Sequence, residues 1–366
     1  MNKATNEDRR VWVELRDSIF RERRTVGLLV VLVALAFVMS LLNPRNFPTI
    51  PNMRSMMLQM AETGIFTLAM FVIMISGGLN LSIVSAANFS AACMASVVTG
   101  KIFTGIESPA GKVAVGVALA ICVGALCGSL NGFFVSKLRL NALLVTTASS
   151  QLFEGAAQLI TKGGSIVNSQ IPSITTFGNG AVFGVLPNAF LMTLACYVAA
   201  ALFVNNTKYG ENSRLLGANE TATLYCGNNN VRTLMTAYML SGIFSAVGGI
   251  TVFAKMGIVR SEYGSSLSSQ ALLTLVFAGL MIVGGTGKVF NVILSLVILQ
   301  MVASGFNLAR LTAYSKSLCW GVMLMFIVIM STPQAEGFFR VFGKLLGSGK
   351  KGGSDAGGDT AGARGP

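Results

Sequence analysis

The stretch MFVIMISGGLNLSIVSAANFSAAC, residues 70–93, places Gly77 and Gly78 in the middle of an apolar run that would otherwise form one continuous helix. A glycine pair weakens helix formation by about 2 kcal/mol relative to alanine. The same arrangement returns at Gly284 and Gly285, within MIVGGTGKVF. Interrupted apolar segments in both halves of a chain indicate a solute path through a membrane. Tight turns between full-length helices explain the pattern too, and both interpretations stay open.

The second glycine cluster is followed by a lysine, as in a nucleotide-binding phosphate loop. That loop also needs a glycine five positions before its last glycine, and a serine or threonine after the lysine. Here these positions are Ile282 and Val289, so the backbone cradle and the magnesium-binding hydroxyl are both missing. We therefore do not expect this chain to bind a nucleotide itself.

The composition indicates an integral membrane protein. Of 366 residues, 53% are hydrophobic and 11% are charged, whereas soluble domains average roughly 25% charged residues. The mean hydropathy is +0.67. Histidine is absent and the six cysteines form no C-x-x-C pair, so we expect no metal site and no catalytic residues. The basic excess lies at the chain ends and in short loops, which membrane topology explains without nucleic acid.

About 17–25 apolar residues are needed to cross the hydrocarbon layer as a helix. By that measure the sequence predicts an all-α membrane protein, a polytopic bundle of about ten transmembrane helices with broken helices at the glycine pairs. The predicted spans cover residues 26–42, 56–76, 79–99, 113–135, 141–160, 187–204, 234–254, 270–283, 289–308 and 316–332.

The distribution of basic residues predicts the orientation of the bundle. If the N-terminus is cytoplasmic, two thirds of the 27 lysines and arginines fall on the cytoplasmic side, as membrane proteins prefer. Both termini are therefore predicted to be cytoplasmic. Residues 1–25 fit an amphipathic helix on the inner membrane surface or a frayed basic segment. The transmembrane domain is predicted over 26–332, and the Gly-rich tail over 333–366 is expected to be largely disordered.

Two acidic residues, Glu62 and Glu154, lie inside predicted spans. A charge at the bilayer centre costs about 2.5–3.5 kcal/mol on insertion scales, so an intramembrane carboxylate needs a reason. In the predicted topology, both lie about 9 Å from the outer ends of their helices. They would line a vestibule open to the outside, or each would be a protonated or hydrogen-bonded carboxyl in a helix contact.

The polar stretch 205–232, NNTKYGENSRLLGANETATLYCGNNNVR, is too long for a tight turn and too polar for lipid. A short helix over 211–225, interrupted near Gly217, is predicted to lie along the inner face and to offer a docking surface. Within it, Gly217, Asn219 and Ala222 match the G-x-N-x-x-A-A element of the permease subunits of ribose-type ABC sugar importers. The chain resembles this family.

Two further elements carry the resemblance, and together the matches run from about residue 60 to 330. The segment ISGGLNLSIVSAANFSA is similar to the family's G-G-I-D-L-S-V-G-S element. The matching positions are Gly77, Gly78, Leu81, Ser82 and Ser85. Asn80 stands where the family usually has aspartate. Asparagine keeps the hydrogen-bonding shape of aspartate without its charge. The third element is the glycine-rich segment within 274–307.

The resemblance implies a permease subunit of an ABC importer in a bacterial cytoplasmic (inner) membrane, carrying a monosaccharide or similar small polar solute. It implies no enzyme activity and no cofactor in this chain. Its partners would be cytoplasmic ATP-binding subunits that bind ATP and Mg²⁺, an extracytoplasmic solute-binding protein, a second permease copy or paralogue, and membrane lipid. The loop that couples to the ATPase would be 205–232, with Glu211, Arg214, Gly217, Ala218, Asn219 and Ala222. The translocation pathway would include Glu62, Gly77, Gly78, Asn80, Ser82, Glu154, Gly284 and Gly285.

Two alternatives remain at this stage. A nucleoside or branched-chain amino acid ABC permease would share the same elements. A proton-coupled secondary transporter, from a different class, would use Glu62 and Glu154 as proton carriers and would need no ATPase partner.

Overall fold

The structure is a computed structural model, and the residues that it describes are 24–101, 108–168, 171–182, 184–281 and 283–331. The predicted N-terminal segment lies almost wholly outside these residues, and the predicted tail lies entirely outside them.

Helices dominate the described part of the chain, and each of the ten predicted spans coincides with one of them. The ten are α1 Arg24–Leu42, α2 Ile50–Met74, α3 Ile83–Val98, α4 Pro109–Gly132, α5 Ala142–Thr161, α7 Asn188–Asn206, α10 Asn230–Met256, α11 Leu267–Ala278, α12 Val289–Leu308 and α13 Ala313–Ser331. A π-helical turn, Phe133–Lys137, continues α4. Six of the described helices, α1, α2, α4, α7, α10 and α12, are long and apolar enough to cross a membrane. The prediction of an all-α polytopic bundle is confirmed.

Two helices beside the glycine pairs are too short to cross the bilayer alone. Helix α3 has 16 residues and α11 has 12, which at 1.5 Å per residue gives about 24 Å and 18 Å. The hydrocarbon layer is roughly 30 Å thick. Irregular backbone therefore completes these two segments, and such backbone is tolerated only where protein or water satisfies it.

Helices α2, α3 and α10 form the centre of the bundle and are mostly buried, whereas α1 is almost entirely exposed. Helices α4 and α10 cross closely through small residues. A Cβ added to Gly124 would lie 2.5 Å from the carbonyl oxygen of Gly242, and one added to Gly128 would lie 2.2 Å from the carbonyl oxygen of Tyr238. In lipid, such close backbone approach supplies the packing energy that holds helices together.

The bundle has two ends, which we name by what they carry. The loop end carries α8 Lys208–Ala218 and α9 Glu220–Tyr225, between α7 and α10. The strand end carries α6 Pro172–Asn179 and four short strands, β1 Ser165–Val167, β2 Ala181–Val182, β3 Leu186–Pro187 and β4 Ile258–Arg260. Strand β1 pairs antiparallel with β4, and β2 pairs antiparallel with β3. Sequence reasoning did not predict α6 or the four strands.

Candidate functional site

Both glycine pairs lie in turns between helices, and the two turns meet the polar loop at one point. Gly77 follows α2, Gly284 and Gly285 precede α12, and Gly217 is buried near the end of α8. A Cβ on Gly217 would lie 2.2 Å from the carbonyl oxygen of Ile75 and 2.3 Å from the amide nitrogen of Gly285. We call Gly77, Gly217, Gly284 and Gly285 the glycine junction.

The backbone at the junction requires glycine for two reasons. Gly77 has φ +80° and Gly284 has φ +94°, and other residues pay roughly 1–2 kcal/mol in this left-handed region. A Cβ on Gly284 would also lie 2.4 Å from the amide nitrogen of Gly77, and one on Gly77 would lie 2.6 Å from the carbonyl oxygen of Val283. The three segments therefore touch backbone to backbone, with no room for side chains.

One hydrogen bond ties the two turns together. The amide of Gly285 donates to the carbonyl oxygen of Ile75 at 2.9 Å. Ile75 is the C-cap of α2, so this bond satisfies one of the carbonyl groups that a helix end leaves without an intrahelical partner. The start of α12 is thus connected directly to the end of α2, and Gly217 packs on both.

The polar loop folds into two helices, as the sequence predicts, but the predicted break near Gly217 is wrong by two residues. The break lies at Asn219, whose side-chain oxygen accepts a hydrogen bond from the amide of Ala222 at 3.0 Å and so caps α9. An asparagine at the N-cap stabilises a new helix start. Gly217 instead completes α8, where its missing side chain allows the junction.

The outer face of the loop is exposed and partly apolar. Among the predicted coupling residues, Glu211, Ala218 and Ala222 are exposed. Leu224 and Tyr225 beside them have 60% and 86% of their surface accessible. An exposed apolar patch with a polar rim is typical of a surface that binds another protein.

Tyr209 anchors the inner face of the loop to the bundle. Its ring lies 5.0 Å from the ring of Phe203 on α7, and it packs on a buried cluster that contains Ile73 and Tyr238. Burial raises the pKa of Tyr209 to about 12, so the phenol stays neutral at physiological pH. The loop is therefore fixed by an aromatic anchor at its start and by Gly217 at the end of α8.

Asn80 and Ser82 lie in a sealed hydrogen-bond network between α3, α4 and α10. The side-chain oxygen of Asn80 accepts from the amide of Ser82 at 3.0 Å and from the Ser82 hydroxyl at 2.7 Å, and its nitrogen donates to the Ser241 hydroxyl at 3.2 Å. Asn131 donates to the Ser82 hydroxyl at 2.8 Å. All four side chains are buried, so in this conformation the network joins helices and does not line an open path.

A polar cavity of about 320 Å³ opens at the strand end between α2, α11, α12 and α13. We call it the polar vestibule. Its polar lining includes Gln59, Glu62, Gln300, Asn307 and Lys316, and Trp320 contributes an aromatic wall. Gln300 donates to the side-chain oxygen of Gln59 at 3.0 Å, and Asn307 donates to the same oxygen at 3.4 Å. Amide groups beside an aromatic ring suit a hydroxyl-bearing solute.

Glu62 is held at the edge of this vestibule by an ion pair. The Lys255 ammonium lies 2.9 Å from one carboxylate oxygen, and the Tyr263 hydroxyl donates to the other. Asn88 positions this segment by donating to the backbone oxygens of Ser261 and Tyr263, both at 2.9 Å. Burial, followed by the negative charge of Glu62, raises the pKa of Tyr263. Each carboxylate oxygen of Glu62 therefore has its own partner.

Glu154 lies elsewhere, so the two acidic residues do not share one vestibule. It is half-buried on α5, which packs on α3 and α4, and it does not line the cavity at Glu62. Equal depth along two helices does not place two side chains together, because depth leaves the angular position in the bundle undetermined.

A comparison with protein families decides the class of the molecule. A family model described as branched-chain amino acid transport system, permease component, matches residues 52–329. The chain belongs to this family. The match covers most of the predicted transmembrane domain and confirms the resemblance seen in the glycine and loop elements. The permease is therefore a multi-pass membrane transport subunit.

Individual relatives agree with this assignment. The permease is 31% identical to the L-arabinose transport system permease protein AraH of Escherichia coli K12 over 303 residues, 83% of this chain and 89% of that protein. It is 27% identical to the ribose import permease protein RbsC of the same strain over 310 residues, 84% and 93% of the two chains. It is 28% identical to the autoinducer 2 import system permease protein LsrD of Photorhabdus laumondii over 272 residues, 73% and 78% of the two chains. No solved structure matches the chain.

Several residues of these sites escaped the sequence analysis of the permease. Gln59 and Gln300 lie within predicted spans, and a polar side chain there is itself a signal of function. Lys255 and Tyr263 gave no such signal, because they become partners of Glu62 only when α10 and the segment after β4 pack against α2. The described residues contain no group of three or more Cys, Asp or Glu side chains that could hold a metal ion.

Proposed function

We propose that the chain is the membrane-spanning subunit of an ABC importer for a monosaccharide or similar small polar solute. The names of the relatives support this solute class, since they refer to L-arabinose, ribose and autoinducer 2 import. The polar vestibule supports it as well, because its amide side chains can replace the water that hydrates a hydroxylated solute.

The glycine junction carries the proposal. In our mechanism, two cytoplasmic ATP-binding subunits dock on the exposed face of α8 and α9 and bind ATP and Mg²⁺ themselves. Closure of these subunits would move Gly217, which packs directly on the turns at Gly77 and Gly284. Because a close-packed backbone contact cannot be compressed, the movement would pass to the ends of α2, α11 and α12. The same three helices contribute residues to the polar vestibule.

The loop end would then face the cytoplasm, together with both termini, and the membrane would be a bacterial inner membrane. An extracytoplasmic binding protein would deliver solute at the strand end, where the polar vestibule opens. A second permease copy or a paralogue would complete the path, and membrane lipid would surround the exposed apolar helices. Rocking between outward-open and inward-open states would expose the solute to one side at a time.

The arrangement of acidic residues argues against a proton-coupled transporter. Glu62 is paired with Lys255 and Tyr263, and Glu154 lies on a different helix outside the vestibule. A proton relay requires titratable groups that follow one another along a path.

Reconstituted uptake would test the proposal. The permease would be placed in liposomes with its ATP-binding partner and its binding protein, and offered radiolabelled pentoses, hexoses, a nucleoside and leucine. We expect uptake of one sugar that requires ATP and stimulates its hydrolysis. Uptake driven by a proton gradient without the ATPase subunit would overturn the mechanism, and uptake of leucine or the nucleoside alone would overturn the solute class.

A further inference from the structure

A second cavity, of about 480 Å³, forms a groove between α7 and α12 next to the loop end. Leu194 and Val198 line it from α7, and Phe290 and Ile293 line it from α12. Val198 and Phe290 have 54% and 55% of their surfaces exposed, so the groove is open along the side of the bundle. We call it the interhelical groove.

The groove has the length of one membrane leaflet. From Asn205 at its polar end to Leu194 on its wall, α7 advances eleven residues, or about 16 Å at 1.5 Å per residue. The whole hydrocarbon layer is roughly 30 Å thick. An apolar channel that runs from the membrane surface to the mid-plane fits an acyl chain better than a water-soluble ligand.

The end of the groove nearest the loop is positively charged. Arg214 from α8 and Lys288 from the turn before α12 both line it, and none of the described lining residues is acidic. Asn205 orients Arg214, because the guanidinium Nη2 donates to its side-chain oxygen at 2.7 Å. The first turn of α12 starts at the same place and has no side-chain cap, so its amide groups and the helix dipole add to the attraction for an anion.

We propose that the interhelical groove binds an anionic phospholipid. Arg214, Lys288 and the start of α12 would hold the phosphate, and one acyl chain would lie between Val198 and Phe290. Basic pockets between transmembrane helices at a membrane surface recognise such headgroups. A free phosphate or nucleotide would use the same cations but would leave the apolar walls uncovered.

The position of the groove gives the lipid a role in regulation. Gly285 lines the groove and belongs to the glycine junction, and Arg214 belongs to the loop that we expect the ATPase to move. A bound phosphate would brace the start of α12 against α8. This regulatory part depends on the proposed function, whereas binding itself does not.

Lipid binding can be measured without transport. The purified permease in detergent would be titrated with phosphatidylglycerol and with phosphatidylcholine, and bound lipid counted by native mass spectrometry. We expect preference for phosphatidylglycerol, with about fivefold weaker binding in Lys288→Gln and a larger loss in the double variant with Arg214→Gln. Lys137→Gln, at the loop end but outside the groove, is the matched control and should bind as the unchanged protein does.

A second variant tests the binding of the acyl chain separately from the binding of the charged headgroup. Val198→Trp fills the groove without altering its charge and should weaken phosphatidylglycerol binding, whereas Leu144→Trp on the exposed face of α5 should not. Val198 and Leu144 are exposed, so thermal unfolding should confirm that both variants fold. The proposal would be overturned if the double charge variant and Val198→Trp both bound phosphatidylglycerol as tightly as the unchanged protein does. So would displacement of the lipid by millimolar inorganic phosphate or ATP, which would make the site one for a free anion.

Regulation needs its own measurement, in vesicles that contain the complete transporter. The ratio of solute imported to ATP hydrolysed should be higher in vesicles with phosphatidylglycerol than in phosphatidylcholine alone, and Lys288→Gln should remove the difference. A ratio independent of the lipid, in a protein that still binds phosphatidylglycerol, would overturn the regulatory part and leave a structural lipid. An inactive transporter in all vesicles would instead contradict the proposed function.

Discussion

The glycine junction and the polar vestibule lie at opposite ends of the same helices and are built in opposite ways. At the junction, backbones touch and a single added carbon would lie 2.2 Å from a carbonyl oxygen. In the vestibule, long polar side chains such as Gln59 and Gln300 meet between α2 and α12 and line a cavity of about 320 Å³. Close backbone contact suits a region that transmits movement from the polar loop to the helices. A polar cavity suits a region that admits a hydrated solute.

The comparison predicts that the junction tolerates no added volume. Replacing Gly284 by alanine combines left-handed strain with overpacking against Gly77, so we expect the free energy of unfolding to fall by about 2–5 kcal/mol. Gly155→Ala is the control, because a Cβ at Gly155 would meet nothing within 4 Å. Thermal unfolding of the purified variants measures the difference. Equal stability of the two would show that the junction is loosely packed.

At the vestibule, charge rather than volume is expected to be critical. Lys255→Met would leave Glu62 buried without its cation, at a cost of about 3 kcal/mol in the free energy of unfolding, the lower end of the range because Lys255 is partly exposed. Adding Glu62→Gln should restore most of that stability, since no unpaired charge remains. Lys101→Met, at an exposed lysine, is the control. A double variant as unstable as Lys255→Met alone would contradict the ion-pair interpretation.

The hydrogen-bond network around Asn80 combines features of both regions, because its polar groups are tightly packed like the backbone of the glycine junction. Asn80→Ala would remove the partner of the buried Ser82 amide and hydroxyl, and we expect a loss of about 1–3 kcal/mol. Asn80→Asp keeps the acceptor, and Ser241 can turn its hydroxyl to donate, so this variant should lose less. Chemical unfolding of both variants in detergent would test the order. If Asn80→Asp were less stable to chemical unfolding than Asn80→Ala, the site would be shown to exclude a charge.

The smallest expected effect comes from the vestibule wall, and it concerns transport activity instead of stability. Gln300→Leu removes the hydrogen bond to Gln59 and a polar group that faces the cavity, so solute-stimulated ATP hydrolysis should need about fivefold more loaded binding protein. Gln151→Leu changes an exposed glutamine on α5 in the same way and should leave the activity unchanged. If both variants retain full activity, the vestibule does not contact the solute.

Local patterns were enough to predict the helices. An apolar run of sufficient length forms a membrane helix wherever it lies, because lipid offers the backbone no other partner. For this reason all ten predicted spans coincide with helices, and the length and polarity of residues 205–232 marked the loop before any contact was known. The predicted break lay two residues before the observed break at Asn219. The reason is that Gly217 packs against segments distant in the chain and does not end α8.

The sites themselves depended on how distant segments meet. From the sequence alone came the membrane class, the ten apolar helices, the positions of the two glycine interruptions and the polar loop, because each is encoded in composition and short-range spacing. Only the tertiary structure brought Gly77, Gly217 and Gly284 together, paired Glu62 with Lys255 and separated Glu154 from both. The physical reason is that helix formation is local, whereas the angular position of each helix is decided by packing against neighbours far away in the chain.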